Sequence, residues 1–451
     1  EGTGSGCPAL PPLPLRSHPL LPSMRALAPL LAAAVASQAA AQTGVSLGEL
    51  KSGLQAVLDE VAASHGTGTA LQLGWKSATA EFALAAGTVQ RPDEAAPRRV
   101  TTSDTFLFGS GTKPLTAAAV MQLVASGKVS LDDPLERHID SVLDRLHPGA
   151  SLRGLFGPSA SKITVGHTLR MQSGVQDFDF PPFDNFLIRP NETYKVHSPY
   201  EFVQYASTQK PPLLCVPGEC VSYSSNNFVL AGFILLAHAN VTEWWQLDLP
   251  SFFPSAARKS FRGLHFLQRE RLQERLTVPG HTGGGWAKTP PMVIWNQSSS
   301  ILGWTCGNAI GTALDIAGFT WDLLGPDASV LPKDALSQMT KFKPLDLGWA
   351  AGFIQYGAGL MIETTRYLGH PPTLPEWGTY MGHGGDTYGF LSEQGVVSGL
   401  NASVTIVANQ DTDGAIVQRN AFCKMIQTSA KILLGKKLDL QCQKSAAALV
   451  V

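Results

Sequence analysis

The chain has 451 residues, 44% of them hydrophobic and 15% charged, which is enough apolar material for one large domain or two ordinary ones and too much for a disordered chain. Its formal net charge of −1, with no Lys/Arg run longer than a pair such as Lys436-Lys437, excludes the basic face that a nucleic-acid partner requires. What remains is a neutral globular protein that handles a small molecule.

Residues 1–23 are rich in Pro, Gly and Ser and are expected to be a non-native or untranslated leader. Met24-Arg25 then opens a short apolar run, Ala26 to Ala36, closed by Ser37-Gln38-Ala39-Ala40-Ala41. A charged start, a brief apolar stretch and a small-residue end predict a signal peptide over 24–41, cut after Ala41. The run is too short to span a bilayer, so a secreted or secretory-pathway protein with no membrane partner after signal removal is expected. Asn-x-Ser/Thr triplets at Asn191, Asn240, Asn296 and Asn401 agree with that route. Oxidising surroundings favour pairing of the near neighbours Cys215–Cys220 and Cys423–Cys442, leaving Cys306 over. No cysteine or histidine pattern matches a zinc site, and no metal or cofactor is expected.

Leu47, Leu50, Leu54, Val57, Leu58 and Val61 recur at helical spacing, with His65-Gly66 ending the helix. Ala70 to Trp75 and Glu81 to Ala86 read as a hairpin, followed by a polar stretch from Arg91 to Arg99. A helix is predicted over Lys113 to Ala125, stopped near Gly127. From about 130 to 320 helical patches alternate with Pro-, Gly- and Ser-rich loops, and Phe228 to Ala239 reads as a buried helix. Segment 244–300 carries no readable function. Strand-like segments return at Gly352 to Tyr356, Gly359 to Glu363, Gly389 to Val397 and Ser403 to Asn409. A closing amphipathic helix spans about 415–434. Strands at both ends of a helical middle predict an α+β domain over 44–438, with a helical insertion at about 130–320 and a tail over 439–451.

Ser110-Gly111-Thr112-Lys113 places a hydroxyl and an amine on one face of a helix start. Free N–H groups there favour an oxyanion, and a lysine held in a positive, partly dry place loses basicity and can take the serine's proton. Ser159-Ala160-Ser161-Lys162 and Ser207-Thr208-Gln209-Lys210 share the spacing, but only the first precedes a long apolar helix. An N-cap serine with a solvated lysine is the bland alternative.

The run Ser110-Gly111-Thr112-Lys113-Pro114-Leu115-Thr116-Ala117, continued by Gly127 to Pro134, resembles the nucleophile helix of class C beta-lactamases and related penicillin-binding-protein-like esterases. Ile163 to Gly174, Pro217-Gly218 with Tyr223 to Asn227, Gly307 to Phe319, Tyr356 to Gly359 and Gly382 to Gly385 resemble later blocks of that family in order, across about 100–420. The resemblance implies a beta-lactamase/transpeptidase-like fold, an antiparallel sheet flanked by helices with an inserted helical subdomain. It also implies a serine hydrolase that forms an acyl-enzyme.

By that likeness Tyr223 relays a proton, its pKa lowered by the Lys113 ammonium. Ser225 stands where the family's motif has Asn, with Asn226 one place on. His383-Gly384-Gly385 fits a sheet edge lining the site better than His281-Thr282-Gly283, which leads into no strand pattern, and the Asp386 N–H is expected as the second oxyanion donor. Glycine at 384 lacks the hydroxyl with which relatives hold a substrate carboxylate, which favours an ester or amide with a neutral acyl group over a beta-lactam. The substrate is thus a small ester, amide or peptide, with beta-lactamase or D-Ala peptidase activity, or a silent binding protein of the same fold, as rivals. An α/β-hydrolase is set aside because no Gly-x-Ser-x-Gly elbow is present.

Overall fold

Leu50, Leu54, Leu58 and Val61 form the buried stripe of an opening helix, α1 (Leu47–Ser64), capped by the Ser46 side chain on the Glu49 N–H. The computed structural model describes residues 46–283, 291–348, 351, 354–363, 379–412, 416–440 and 442, all within the unit that begins at Gln42. The expected leader and signal peptide lie outside the described residues.

The sheet is built from β1 (Ala70–Ser77), β2 (Glu81–Val89), β3 (Arg98–Arg99), β4 (Lys343–Pro344), β5 (Ile354–Tyr356), β6 (Met361–Glu363), β7 (Tyr380–Thr387), β8 (Phe390–Val397) and β9 (Ala402–Ala408). Its order is β3-β2-β1-β9-β8-β7-β6-β5-β4, and every pairing is antiparallel. The first hairpin thus joins the late strands through β1–β9, where Leu73 faces Ile406. The α+β reading and the predicted strands agree with this sheet. β7 is the strand with no alternating signal, because Tyr380-Met381-Gly382-His383-Gly384-Gly385-Asp386-Thr387 is rich in glycine.

Strand alternation divides the core in two. Leu71, Leu73, Trp75, Val404 and Ile406 pack with α1 and with the closing helix, which carries Phe422 and Ile426. On the other face lie Ala70 and Val407, together with the helical part of the chain. In chain order its main helices are α2 (Lys113–Ala125), α3 (Glu136–Leu146), α4 (Pro199–Thr208), α5 (Asn226–His238) and α6 (Ala313–Leu324), and the closing helix is α7 (Val417–Leu434). Helices α2 and α5 are apolar nearly all round and are correspondingly buried. Thr305 ties them together: its carbonyl accepts from Thr116 Oγ1 at 2.7 Å, and its own Oγ1 donates to the Phe228 carbonyl at 2.8 Å.

Disulfides join Cys215 to Cys220 and Cys423 to Cys442, and Cys306 is a buried free thiol. Among the described residues no helix is long and apolar enough to cross a membrane, and no cluster of potential metal ligands occurs.

Helix α6 crosses β1 at Gly74, where a Cβ would stand 2.2 Å from the Ala313 carbonyl oxygen. That neighbour is backbone and cannot swing aside. Gly74→Ala is expected to lower stability by about 1–3 kcal/mol, read as a reduced urea midpoint; an unchanged midpoint contradicts the crossing.

Candidate active site

The short strand Phe106–Leu107 delivers the chain to a tight turn, Gly109–Thr112, that runs directly into α2 at Lys113. Gly109 has φ +50°, and a Cβ there would lie 2.6 Å from the Asp386 carbonyl oxygen, so only glycine lets the turn close on β7. Two side chains of β8 hold the turn: Gln394 Nε2 donates to the Gly111 carbonyl at 2.8 Å, and Ser392 Oγ donates to the Phe108 carbonyl at 3.0 Å. Thr112 Oγ1 accepts from the Ala309 N–H at 2.9 Å. Pro114 sits in the first turn of α2, where its missing N–H leaves no bond unmade.

These supports bring Ser110, Lys113 and Tyr223 into mutual reach. Lys113 Nζ lies 2.7 Å from Ser110 Oγ, and Tyr223 OH donates to the same oxygen at 2.9 Å. Nζ also lies 3.2 Å from Ser225 Oγ and 3.3 Å from the Cys306 carbonyl. Lys113 is fully buried while Ser110 is half-exposed, so the amine is dry and the hydroxyl can be reached. Burial lowers the Lys113 pKa, against smaller opposing effects of Cys306, Asp177 and Asp179.

The phenol departs from the sequence expectation, for its pKa is raised well above the usual value. Burial is the main cause; the Ser110 hydrogen bond lowers it, and Asp177 and Asp179 raise it further. The expected lowering by an ammonium fails because Nζ lies over the Tyr223 ring, 5.0 Å from its centroid, and spends its hydrogen bonds elsewhere. An amine that readily gives up its proton beside a phenol that keeps one is a matched acceptor and donor around a single hydroxyl.

The remaining predicted residues divide. Ser225 reaches the centre, with Oγ between Lys113 Nζ and Asp179 Oδ2 at 3.5 Å. Asn226 does not bring an amide to the cavity wall: at the buried start of α5 its Nδ2 donates to the Gln176 carbonyl at 3.1 Å. His383 is no surface residue. It is fully buried, shares a 3.1 Å hydrogen bond with Tyr356 OH through Nε2, and packs 6.2 Å from the Tyr223 ring. Burial, helped by Lys113, pulls its pKa down to about 3, so it is a neutral support behind the phenol.

Gly384, Gly385 and Asp386 line the cavity. Strand β7 runs past the end of β6, whose last pairing is Met361 with Gly382, and this leaves residues 383–387 facing the Ser110 turn. A Cβ on Gly385 would fall 2.0 Å from the Phe108 carbonyl oxygen. A Cβ on Gly384 would instead meet the carboxylates of Glu393 and Glu363 at 3.3 and 3.4 Å.

The other Ser-x-x-Lys matches stay apart: Ser159 is exposed on a surface turn, and Ser207 donates to the Gln204 carbonyl near the end of α4. His281-Thr282 forms a short strand, Gly280–Thr282, paired with Met292–Ile294, which corrects the expectation of no strand there. It is not part of the cavity wall.

Sequence reasoning missed the acids. The cavity of about 720 Å³ at Ser110 is lined by Asp177, Asp179 and Asp184, with Phe178, Leu214 and Ile301 among its apolar walls. Asp177 Oδ1 accepts from the Ser225 N–H at 2.9 Å, and Asp184 Oδ1 accepts from Tyr388 OH at 3.0 Å. Burial, then Asp179, pushes the Asp177 carboxyl up to about 7. Three aspartates in the aromatic-rich stretch 177–184 were the available signal, since charge among aromatics needs a reason to be buried.

The beta-lactamase family model matches residues 54–422. A D-stereospecific amidohydrolase from a Streptomyces species has a similar structure at 23% identity and TM-score 0.63, over 85% of this chain and 99% of that one. The D-amino acid amidase of Ochrobactrum anthropi SV3 in complex with D-phenylalanine gives 19% identity and TM-score 0.64, over 86% of this chain and 99% of that one. An octameric penicillin-binding protein homologue from Pyrococcus abyssi gives 20% and 0.62, over 85% and 77%. At these identities the likeness is one of fold.

The lowered Lys113 pKa sets a pH dependence. Raising pH removes the ammonium proton and frees the amine to accept from Ser110, so reactivity toward a fluorophosphonate is expected to rise with pH. Its inflection should lie below 10.5, the ordinary lysine value. A labelling rate that is flat until that value would contradict an activated lysine.

Proposed function

Because the chain belongs to the beta-lactamase family, we propose that it is a secreted serine hydrolase that cleaves small esters or amides through an acyl-enzyme on Ser110. The observation that carries the reading is the pair of contacts on one hydroxyl, 2.7 Å from Lys113 Nζ and 2.9 Å from Tyr223 OH. Ser110 Oγ attacks the substrate carbonyl carbon as Lys113 Nζ takes its proton. The oxyanion forms against the Ser110 and Asp386 N–H groups, at the turn that opens α2. Tyr223, protonated at neutral pH, gives its proton to the departing nitrogen or oxygen and recovers one from the Lys113 ammonium. Water then attacks the ester on Ser110, and the same groups return their protons in reverse.

The substrate is expected to lack the carboxylate that penicillins carry. Gly384 offers no hydroxyl for one, and the ground beneath it is occupied by Glu393 and Glu363. Burial, followed by Glu393, pushes Glu363 up to about 8. Hydrolysis of an ester or amide with no carboxylate beside the scissile bond fits that wall better than beta-lactam chemistry. The named activities of the D-stereospecific amidohydrolase and the D-amino acid amidase support the amide side of the proposal.

The secretory part rests on sequence and surface together. Asn191, Asn240 and Asn296 are exposed and Asn401 half-buried, so the first three asparagines have room to carry a glycan. The two disulfides suit an oxidising compartment.

A fluorophosphonate probe should label the wild type and not Ser110→Ala; equal labelling of both would remove Ser110 as nucleophile. Lys113→Ala should lower kcat on a short-chain aryl ester by about 10²- to 10⁴-fold, the usual range for a lost general base. In parallel assays the aryl ester should turn over well ahead of a chromogenic cephalosporin and a D-Ala-D-Ala peptide, and a comparable cephalosporin rate would overturn the substrate assignment. Expressed in a eukaryotic secreting host, the protein should leave the cell and gain mobility on glycosidase treatment, whereas retention in the cytosol without glycans would overturn the secretory reading.

A further inference from the structure

A second cleft, of about 900 Å³, lies at the other end of α2 from Lys113. Its wall includes Val124, so about 16 Å of helix separates it from the lysine beside Ser110. Lys128, Arg137, Arg170, Lys341 and Lys343 line it, against Asp132 and Asp133. Asp133 and Arg137 answer each other at 3.4 Å, and Asp133 also accepts from the Ser130 N–H at 2.8 Å and meets His138 Nε2 at 3.0 Å. Lys128, Arg170, Lys341 and Lys343 are left with Asp132, and among the described residues none of the four forms an ion pair. A chain of formal net charge −1 has no general excess of cations to account for this.

Lysines on a surface are solvated and call for no ligand by themselves; Arg170 is different. It follows the short helix Val165–Leu169 and is half-buried. Its Nη2 donates to the Gln338 carbonyl at 3.1 Å, while Nε is buried without a hydrogen-bond partner among the described residues. Nη1 makes no hydrogen bond there either but is open to solvent. Burial lowers the Arg170 pKa, with Asp132 opposing, yet a guanidinium keeps its charge at physiological pH. A cation drawn out of water with donors unused and no carboxylate in contact is costly, and an oxyanion that accepts from it removes that cost. Arg170 and Lys343 also act on one neighbour: burial lowers the His167 pKa most, and these two cations lower it further, against a backbone bond to Lys162. The two charges therefore converge on one region of the cleft.

We propose that this cleft binds a small organic phosphate, its oxyanion held by Arg170 with Lys128, Lys341 and Lys343 around it, at a site separate from that of Ser110. A doubly charged group is assigned because four cations stand against Asp132. Leu131 and Phe342 give the same cleft apolar surface for the organic part. A free ester fits better than a lipid headgroup, since Arg170 is half-buried and Gln172 is buried, so the charge must enter the cleft and not rest on its rim. The Ser110 cavity is the wrong place for such an anion, being walled by Asp177, Asp179, Asp184 and Asp386. The assignment does not depend on Ser110 being reactive.

Phenyl phosphate, titrated calorimetrically into the full chain at constant ionic strength, should saturate one site with a Kd of about 0.1 mM or tighter. Arg170→Gln, and separately Lys341→Gln with Lys343→Gln, should each weaken that Kd by about tenfold or more. The lysine pair is exposed, so its variant keeps the test open should Arg170→Gln fail to fold. Lys436→Gln with Lys437→Gln removes the same charge from an exposed pair outside the cleft and should leave the Kd within about twofold. Fluorophosphonate should still label Ser110 at saturating phenyl phosphate. No saturable binding up to about 10 mM, or equal weakening by the cleft pair and the control pair, overturns the site. Blocked labelling of Ser110 places the anion in the other cavity and overturns it too. Capture by vesicles of phosphatidic acid in phosphatidylcholine, without binding of phenyl phosphate, overturns the free ester in favour of a lipid surface.

Discussion

A lysine ammonium taken fully out of water must be repaid by contacts or give up its charge, and that constraint at Lys113 organises the molecule. Its neighbours are two hydroxyls, a carbonyl and the face of a phenol, with carboxylates one step further off. Hydroxyls and a carbonyl hold a neutral amine comfortably and a charged one poorly in a dry site, so the proton is loosely held. The same burial acts with opposite sign on Tyr223, which keeps its proton. One physical cause, exclusion of water, therefore prepares both halves of a proton exchange around Ser110.

Keeping water out and the hydroxyl in place requires backbone to approach backbone. Gly109 closes on Asp386, and Gly385 lies under the Phe108 carbonyl. Ser392 and Gln394 on β8 then bond to the turn from below. The first strands of the chain take part at one remove, since β1 pairs with β9 and β9 with β8. A sheet assembled from both ends of the domain is thus the base on which a four-residue turn is held still.

The charge of the cavity sets this chain apart from what its motifs alone imply. Glycine stands at 384 with the Glu393 and Glu363 carboxylates next to it, and Asp184 lines the same cavity as Glu393. Arg419 answers the two glutamates. The fold is shared with the relatives.

Periodicity in the sequence determined α1, the first hairpin, α2, the late strands β8 and β9 and the closing helix, because each of these buries one face or all faces against neighbours and its pattern records that burial. The Ser110–Lys113 spacing was equally legible, being local to one turn. Tyr223 comes to Ser110 from 113 positions away, and its place was readable only through the order of motif blocks. Three things were decided by tertiary structure alone. The phenol's basicity rose because its surroundings are dry and Lys113 meets its ring, not its oxygen. Asn226 turned to Gln176 because α5 begins there with its first residue facing inward. Asp177, Asp179 and Asp184 became a wall of the site because the segment from Asp177 into the helix Pro181–Leu187 lies against Ser225 and Tyr388, contacts between positions far apart in the chain that leave no periodic trace in the sequence.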